Sequence, residues 1–153
     1  MALVYIGLGS NVGDRKANCR RAIEGLNSKG IVVMKISSLY ETKPWGLKEQ
    51  PDFINMAAEV ETGLPPEELL AAVKDIEKDM GRDSTVKWGP RIIDFDILFY
   101  DDIVVNINHL RIPHPLLHER DFVLAPLSEI APDKVHPVLK KTVRQLKEEL
   151  KDA

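Results

Sequence analysis

The strongest constraint on the fold is a strand-like run that contains two aspartates. Asp94 and Asp96 stand among β-branched, aromatic and large aliphatic residues, a composition typical of a β-strand. Because side chains alternate between the faces of a strand, the two aspartates project from one face while Ile93, Phe95 and Ile97 project from the other. The pattern therefore predicts a strand with one apolar face and one acidic face.

An acidic strand face needs a positive partner, because like charges stacked on one face repel each other. Mg²⁺ is suited to this role, since it binds one or two carboxylates and completes its coordination with waters and substrate phosphate oxygens. Arg91, three residues before Asp94, adds a planar guanidinium that matches phosphate. The pattern favours a metal–phosphate site; the alternative is a solvated sheet face with two exposed aspartates.

Composition narrows the class of protein. A chain of 153 residues, 44% hydrophobic and 29% charged, is typical of one globular domain over 1–153. The net charge of −3 and the lack of long like-charge runs argue against nucleic-acid binding, and no apolar run approaches the ~20 residues that span a bilayer. The N-terminus has no signal-peptide pattern, and Cys19, the single cysteine, rules out an internal disulfide. We expect a cytoplasmic protein with Cys19 in its core.

The order of predicted elements indicates an α+β fold. Hydrophobic periodicity and capping residues predict strands over 2–8, 31–41 and 53–61, helices over 14–28 and 66–81, and then the aspartate strand. This β-α-β-β-α-β order is the ferredoxin-like arrangement, an antiparallel sheet with helices packed on one face. A short strand over 103–105 and C-terminal helical additions, the last over 138–151, are expected to follow.

A glycine-containing segment near the N-terminus suggests a nucleotide-binding loop but does not fit one. Gly7, Gly9 and Gly13 resemble G-x-G-x-x-G, yet the third glycine is one place too late and the following strands are predicted to be antiparallel. A turn whose backbone approaches a ligand, with Asn11 oriented by it, remains open. No P-loop motif is present.

Other polar and aromatic residues give weaker signals. Five basic side chains could contact phosphates: Arg82, Lys87, Arg91, His114 and Arg120. Trp45 and Trp88 lie in loops with glycine and proline, where a tryptophan often closes over a flat ligand. Taken alone, Phe53 and Phe122 are expected in the core. Four residues are interpreted as surface groups: Glu77, His109, His118 and His136.

Taken together, these motifs resemble a known family. Residues 88–98, Trp-Gly-Pro-Arg-x-x-Asp-x-Asp-Ile-Leu, are similar to the signature of the hydroxymethyl-dihydropterin pyrophosphokinases. Further segments resemble that family in the same order, from about residue 3 to residue 132: Gly9-Ser10-Asn11, Tyr40-Glu41-Thr42-x-Pro44, Gln50-Pro51-Asp52-Phe53-Ile54-Asn55, Ile76-Glu77, Gly81-Arg82, Ile112-Pro113-His114-Pro115 and Arg120-x-Phe122.

The resemblance implies an enzyme of folate biosynthesis that transfers pyrophosphate from ATP to the hydroxymethyl group of 6-hydroxymethyl-7,8-dihydropterin and releases AMP. It implies two Mg²⁺ ions held by Asp94 and Asp96, a monomer, and a functional link to dihydropteroate synthase. The catalytic residues implied are Arg82, Arg91, Asp94 and Asp96. Those implied for the pterin are Thr42, Pro44, Trp45, Phe53, Asn55, Trp88 and Phe122. Those implied for ATP are Glu77, Arg82, Lys87, Trp88, Arg91, Ile97, His114 and Arg120.

The chain departs from the family pattern at two points. The loop between Arg82 and Trp88 has Asp83, Ser84 and Thr85 where some members carry an additional basic residue and a slightly longer loop. Pro115 stands where some members have tyrosine. Two alternatives from other classes remain: a non-catalytic pterin- or purine-binding ferredoxin-like module, and a ferredoxin-like RNA-binding domain. Neither needs two aspartates on one strand face, and the acidic balance further disfavours RNA binding.

Overall fold

The computed structural model describes residues 1–42, 52–81 and 92–152. The described elements are β1 (Ala2–Ser10), α1 (Arg15–Ser28), β2 (Val32–Ile36), β3 (Tyr40–Thr42), β4 (Phe53–Thr62), α2 (Pro66–Asp79), β5 (Asp94–Tyr100), β6 (Val105–Ile107), β7 (Leu110–Ile112), a 3-10 turn (Leu117–Glu119), α3 (Asp121–Ile130) and α4 (Val143–Asp152). None of the helices in these ranges is long and apolar enough to cross a membrane.

The main sheet has the predicted ferredoxin-like topology. Its strand order is β2-β4-β1-β5, with β3 also paired to β4. Strand β1 runs antiparallel to both of its neighbours, β4 and β5. The strands joined by α1, β1 and β2, are therefore separated by β4, which is the split β-α-β unit of this fold. An antiparallel β1 also excludes the dinucleotide-binding arrangement.

Helices cover both faces of the sheet. One core packs α1 and α2 against the first face and includes Leu26, Leu69, Val73 and Ile97. A second core packs α3 and α4 against the opposite face and includes Phe99, Leu127 and Val143. The two helices of the ferredoxin-like unit thus share one face, as predicted, and the C-terminal helices form a separate layer.

Local signals place the starts of the first two helices correctly. The Asp14 carboxylate accepts a hydrogen bond from the Ala17 N–H at 3.1 Å, so Asp14 caps α1. Helix α2 begins at Pro66, where the missing N–H costs nothing. Cys19 is fully buried, and burial raises the pKa of its thiol to about 11, which confirms its place in the core.

The prediction of one continuous strand over 31–41 is wrong, because a bulge divides it. Ile36 pairs with Ala58 and Tyr40 with Asn55, so three residues of the outer strand oppose two of β4. The Ser37 hydroxyl accepts the Ala57 N–H at 2.9 Å in place of a regular ladder bond. The serine hydroxyl satisfies the backbone where the strand breaks.

The C-terminal region also differs from prediction. Helix α4 begins at Val143 rather than near residue 138, because Lys140 has a φ of 59° and the Thr142 hydroxyl accepts the Gln145 N–H as a cap. The expected strand over 103–105 is shifted, since β6 begins at Val105 and pairs with β7. His136 is buried rather than exposed.

A residue of the second core should contribute more to stability than a residue of the segment before α4, which was predicted to be helical. Leu127→Ala removes a fully buried side chain and should lower the free energy of unfolding by about 2–5 kcal/mol. Leu139→Ala is the matched control, because Leu139 is 37% exposed and precedes α4, and it should cost about 1 kcal/mol or less. Urea denaturation measures both. Equal losses would contradict the assignment.

Candidate active site

The acidic face of β5 lies beside a central strand that carries glycines. In the sheet register Gly9 pairs with Asn55 on one side and Asp94 on the other, and Gly7 pairs with Asp96. These residues alternate with side chains of the first core, so they face the layer formed by α3 and α4. Gly7 and Gly9 thus form a surface without side chains, the glycine floor. It is bordered by the Asn55 amide and by the carboxylates of Asp94 and Asp96.

Gly9 is required for the position of the Asn55 amide. A Cβ atom added at Gly9 would lie 2.3 Å from Asn55 Oδ1 and 3.2 Å from the Ile54 carbonyl oxygen. A Cβ at Gly7 would meet only Leu98 side-chain atoms at 3.5 Å or more, an ordinary contact. Both glycines lie within β1, which extends two residues beyond its predicted end at residue 8, and a bend follows at residues 12–14, where Gly13 has a φ of 70°.

Asn55 is oriented by a neighbouring strand. The amide is largely buried, and its Nδ2 donates to Thr42 Oγ1 at 2.6 Å. Thr42 pairs with Phe53 in the same β3–β4 ladder. The donor of the amide is thus engaged on the β3 side, and Oδ1 extends towards Gly9. The structure brings together three of the residues predicted for the pterin.

Arg15, which no sequence pattern marks as a site residue, joins β3 to the residue before β4. Arg15 Nη1 lies 2.9 Å from Glu41 Oε2 and donates to the Asp52 carbonyl oxygen at 2.7 Å. The two partners are 11 positions apart in the chain: Glu41 lies in β3, and Asp52 immediately precedes β4. Arg15 therefore fixes this end of the sheet from the helix α1 side.

Histidine and arginine side chains approach the aspartates from the C-terminal region. His114 Nε2 lies 3.6 Å from Asp96 Oδ1. The Leu116 N–H donates to His114 Nδ1 at 3.2 Å, so the ring proton belongs on Nε2, towards the carboxylate. Burial, together with the charge of Arg120, lowers the pKa of His114 to about 4. The imidazole is therefore a neutral hydrogen-bond donor at neutral pH.

Arg120 supplies buried positive charge to the same face. Its side chain is almost fully buried; burial lowers the pKa of the guanidinium, and the charges of Asp96 and Asp94 oppose that shift. Its Cζ atom lies 5.5 Å from the centre of the Phe122 ring, within cation–π range. Arg120 and Phe122 sit at the start of α3, so one helix terminus presents a cation and an aromatic ring.

The prediction that Glu77 is a surface charge is wrong. Glu77 is 3% exposed, and its Oε2 accepts the Phe95 N–H at 2.7 Å. Phe95 lies between the two aspartates, so Glu77 supports the backbone of the acidic strand from helix α2. A signal was present, since Leu69, Val73, Ile76 and Glu77 follow the spacing of one helical face.

Several predicted site residues cannot be placed on this face. Outside the described residues lie Pro44, Trp45, Arg82, Lys87, Trp88 and Arg91. Ile97 lies in the first core, so its side chain points away from the aspartates. Within residues 1–42, 52–81 and 92–152, no group of three or more metal-ligating side chains is assembled. Two hard carboxylate donors nevertheless fit Mg²⁺, which takes its remaining ligands from water and substrate.

A ferredoxin-like α+β fold with an acidic, glycine-floored sheet face defines the class of this protein. The chain belongs to the 7,8-dihydro-6-hydroxymethylpterin-pyrophosphokinase (HPPK) family, whose model matches residues 5–132.

Individual relatives agree with this assignment. The chain is 47% identical over 149 residues to the 2-amino-4-hydroxy-6-hydroxymethyldihydropteridine pyrophosphokinase of Aquifex aeolicus, covering 97% of this chain and 92% of that protein. It is 44% identical over 145 residues to the folic acid synthesis protein FOL1 of Dictyostelium discoideum, covering 95% of this chain but 22% of that protein. The crystal structure of Plasmodium falciparum HPPK-DHPS with pteroate matches 97% of this chain and 42% of its own, with a TM-score of 0.79 and 19% identity. That likeness shows the fold alone.

The support of β5 by Glu77 gives a stability prediction. Glu77→Ala leaves the buried Phe95 N–H without this acceptor and should lower the free energy of unfolding by about 1–3 kcal/mol. Glu77→Gln keeps an acceptor oxygen and should lose less. Glu24→Ala, at an exposed position of α1, is the control. Urea denaturation in which Glu77→Ala behaved like Glu24→Ala would contradict a supporting role for Glu77.

Proposed function

We propose that this protein transfers the pyrophosphoryl group of ATP to the hydroxymethyl oxygen of 6-hydroxymethyl-7,8-dihydropterin and releases AMP, a step of folate biosynthesis. Family membership and the relative that is 47% identical over nearly its whole length support this activity. The observation that carries it is the Asp94–Asp96 pair facing Asn55 across the glycine floor. A non-catalytic pterin-binding module would need Asn55 but not the two carboxylates.

The pterin ring is proposed to bind at the Asn55 end of this floor. A pterin is flat and carries N–H donors on one edge, and Asn55 Oδ1 is an acceptor held in place by Thr42. Phe53 and Phe122 are the proposed aromatic partners for the ring faces. Pro44, Trp45 and Trp88 complete the proposed pterin set from the family pattern.

The triphosphate is proposed to bind at the aspartate end. Asp94 and Asp96 would hold two Mg²⁺ ions, which when bound neutralise phosphate charge and make the pterin alcohol more acidic. His114 offers a neutral Nε2–H donor and Arg120 a buried cation near the same carboxylates. Other proposed ATP contacts come from the family pattern: Glu77, Arg82, Lys87, Trp88, Arg91 and Ile97.

In this proposal the enzyme acts by positioning and by balancing charge. The pterin oxygen attacks the β-phosphorus in line, a new P–O bond forms, and the bond to the bridging oxygen of AMP breaks. Asn55 and Thr42 orient the nucleophile, and Arg82 and Arg91 act as cations oriented towards the transferring group. No covalent enzyme intermediate is needed.

The remaining assignments follow from the same proposal. We infer that residues 1–153 form one domain, that the protein is a cytoplasmic monomer, and that its product passes to a dihydropteroate synthase. The Plasmodium falciparum neighbour, named HPPK-DHPS, supports that functional link.

The proposed reaction is tested by its nucleotide product. The protein is incubated with Mg²⁺, ATP and hydroxymethyl-dihydropterin, and the nucleotides are resolved by chromatography. AMP formed only with pterin is the expected result; ADP, or pterin bound without turnover, would overturn the proposal.

Asp96→Ala should lower Mg²⁺-dependent turnover by about 10³-fold or more while the thermal midpoint stays near that of the wild type. Asp102→Ala, at an exposed aspartate beyond the other end of β5, is the control and should keep its rate.

The glycine floor gives a prediction for pterin affinity. Gly9→Ala should displace the Asn55 amide and raise the KM for pterin by about tenfold or more, with a much smaller effect on the KM for ATP. Gly63→Ala, just after the far end of β4, is the control, because its added Cβ meets Met1 Sδ at 3.7 Å, an ordinary contact. Steady-state kinetics with each substrate varied in turn separates the two. The same pterin KM in both variants would count against Asn55 as the reader of the pterin edge.

A further inference from the structure

The Glu129 carboxylate, outside the proposed site, accepts hydrogen bonds from Ser38, just before β3, and from Tyr40, its first residue. Glu129, near the end of α3, accepts the Ser38 N–H at 3.1 Å on Oε1 and 3.0 Å on Oε2. It also accepts the Ser38 hydroxyl at 3.1 Å and the Tyr40 hydroxyl at 2.6 Å. One exposed side chain thus anchors three donors of a short, bulged segment.

The anchored segment continues directly into the proposed pterin subsite. Tyr40 pairs with Asn55, and two residues later Thr42 accepts the Asn55 amide at 2.6 Å. Strand β3 has three residues and, among the described strands, pairs with β4 alone. A strand this short is weakly stable by itself. The hydrogen bond from Tyr40 to Glu129 therefore affects the position of the Thr42 hydroxyl.

The same helix carries two further residues of the proposed site. Arg120 and Phe122 stand at the start of α3, and Glu129 lies nine residues after Arg120, about 13 Å along the helix. Glu129 is thus too far along α3 to share a contact with them and acts through Tyr40. The Glu129 carboxylate therefore connects helix α3, which carries Arg120 and Phe122, to strand β3, which orients the Asn55 amide.

We propose that Glu129 is a positioning residue for the pterin, holding Tyr40 and Ser38 so that Thr42 and Asn55 keep the correct distance from Arg120 and Phe122. The proposal rests on the proposed function, because it takes Asn55 to be the group that reads the pterin. The Tyr40 bond raises the pKa of the phenol to about 12 and lowers the pKa of the Glu129 carboxyl, which agrees with a short charge-assisted hydrogen bond.

The test compares substrates rather than overall activity. Glu129→Ala should raise the KM for pterin by about tenfold and leave the KM for ATP within about twofold. Glu129→Gln retains an acceptor oxygen, so its KM for pterin should stay closer to the wild-type value than that of Glu129→Ala. Tyr40→Phe removes one donor without loss of volume, and combined with Glu129→Ala it should add little, since the two residues act together. Glu149→Ala is the matched control, an exposed carboxylate of α4 that accepts from Lys141 at 2.7 Å.

Direct binding separates this proposal from the proposed reaction. Pterin binding is measured by calorimetry with a non-hydrolysable ATP analogue and Mg²⁺, so the result does not depend on turnover. Weaker pterin binding in Glu129→Ala and Tyr40→Phe, with normal binding in Glu149→Ala, supports the positioning role even if the wild type makes no AMP. Unchanged pterin binding in Tyr40→Phe, or an equal loss for both substrates in Glu129→Ala, overturns it. A wild type that binds no pterin overturns both proposals.

Discussion

The site depends on how two like-charged carboxylates are kept on one face of an edge strand. Asp94 and Asp96 lie side by side on β5, so their repulsion must be offset by the surroundings. Arg120 provides a buried cation, and Glu77 accepts the backbone N–H between them from the opposite layer. A strand built in this way is poised for a further positive partner, which is the role proposed for Mg²⁺ and the arginines.

The rest of the fold gives this strand a rigid setting. Helices α1 and α2 bury the apolar side of the sheet, so the acidic side faces the second layer. Helix α3 packs against the second face through Leu127 and its neighbours. Its start places Arg120 near the carboxylates, and near its end Glu129 accepts a hydrogen bond from Ser38 in the β2–β3 bulge. Helix α3 therefore contributes to the site as well as to the stability of the sheet. The glycine floor of β1 leaves room between the amide and the carboxylates.

Much of this could be predicted where the controlling interaction is local. The period of two in β5 placed the aspartates on one face, and Asp14 and Pro66 marked two helix starts. Two other predictions failed because a distant partner decides the outcome. The strand break depends on Ser37 binding β4, and the burial of Glu77 depends on an N–H of another element. The named pterin and ATP residues came from resemblance to a family, because no local pattern predicts which side chains meet across a sheet.

The central claim is that ATP and pterin meet over the face bounded by Asn55, Asp94 and Asp96. A crystal structure with a non-hydrolysable ATP analogue, pterin and Mn²⁺ in place of Mg²⁺ tests this most directly, because Mn²⁺ is located by its anomalous scattering. The account predicts anomalous peaks at both aspartate carboxylates and the pterin edge on the Asn55 amide. Mn²⁺ bound away from both aspartates, or a pterin on any other surface, would contradict it.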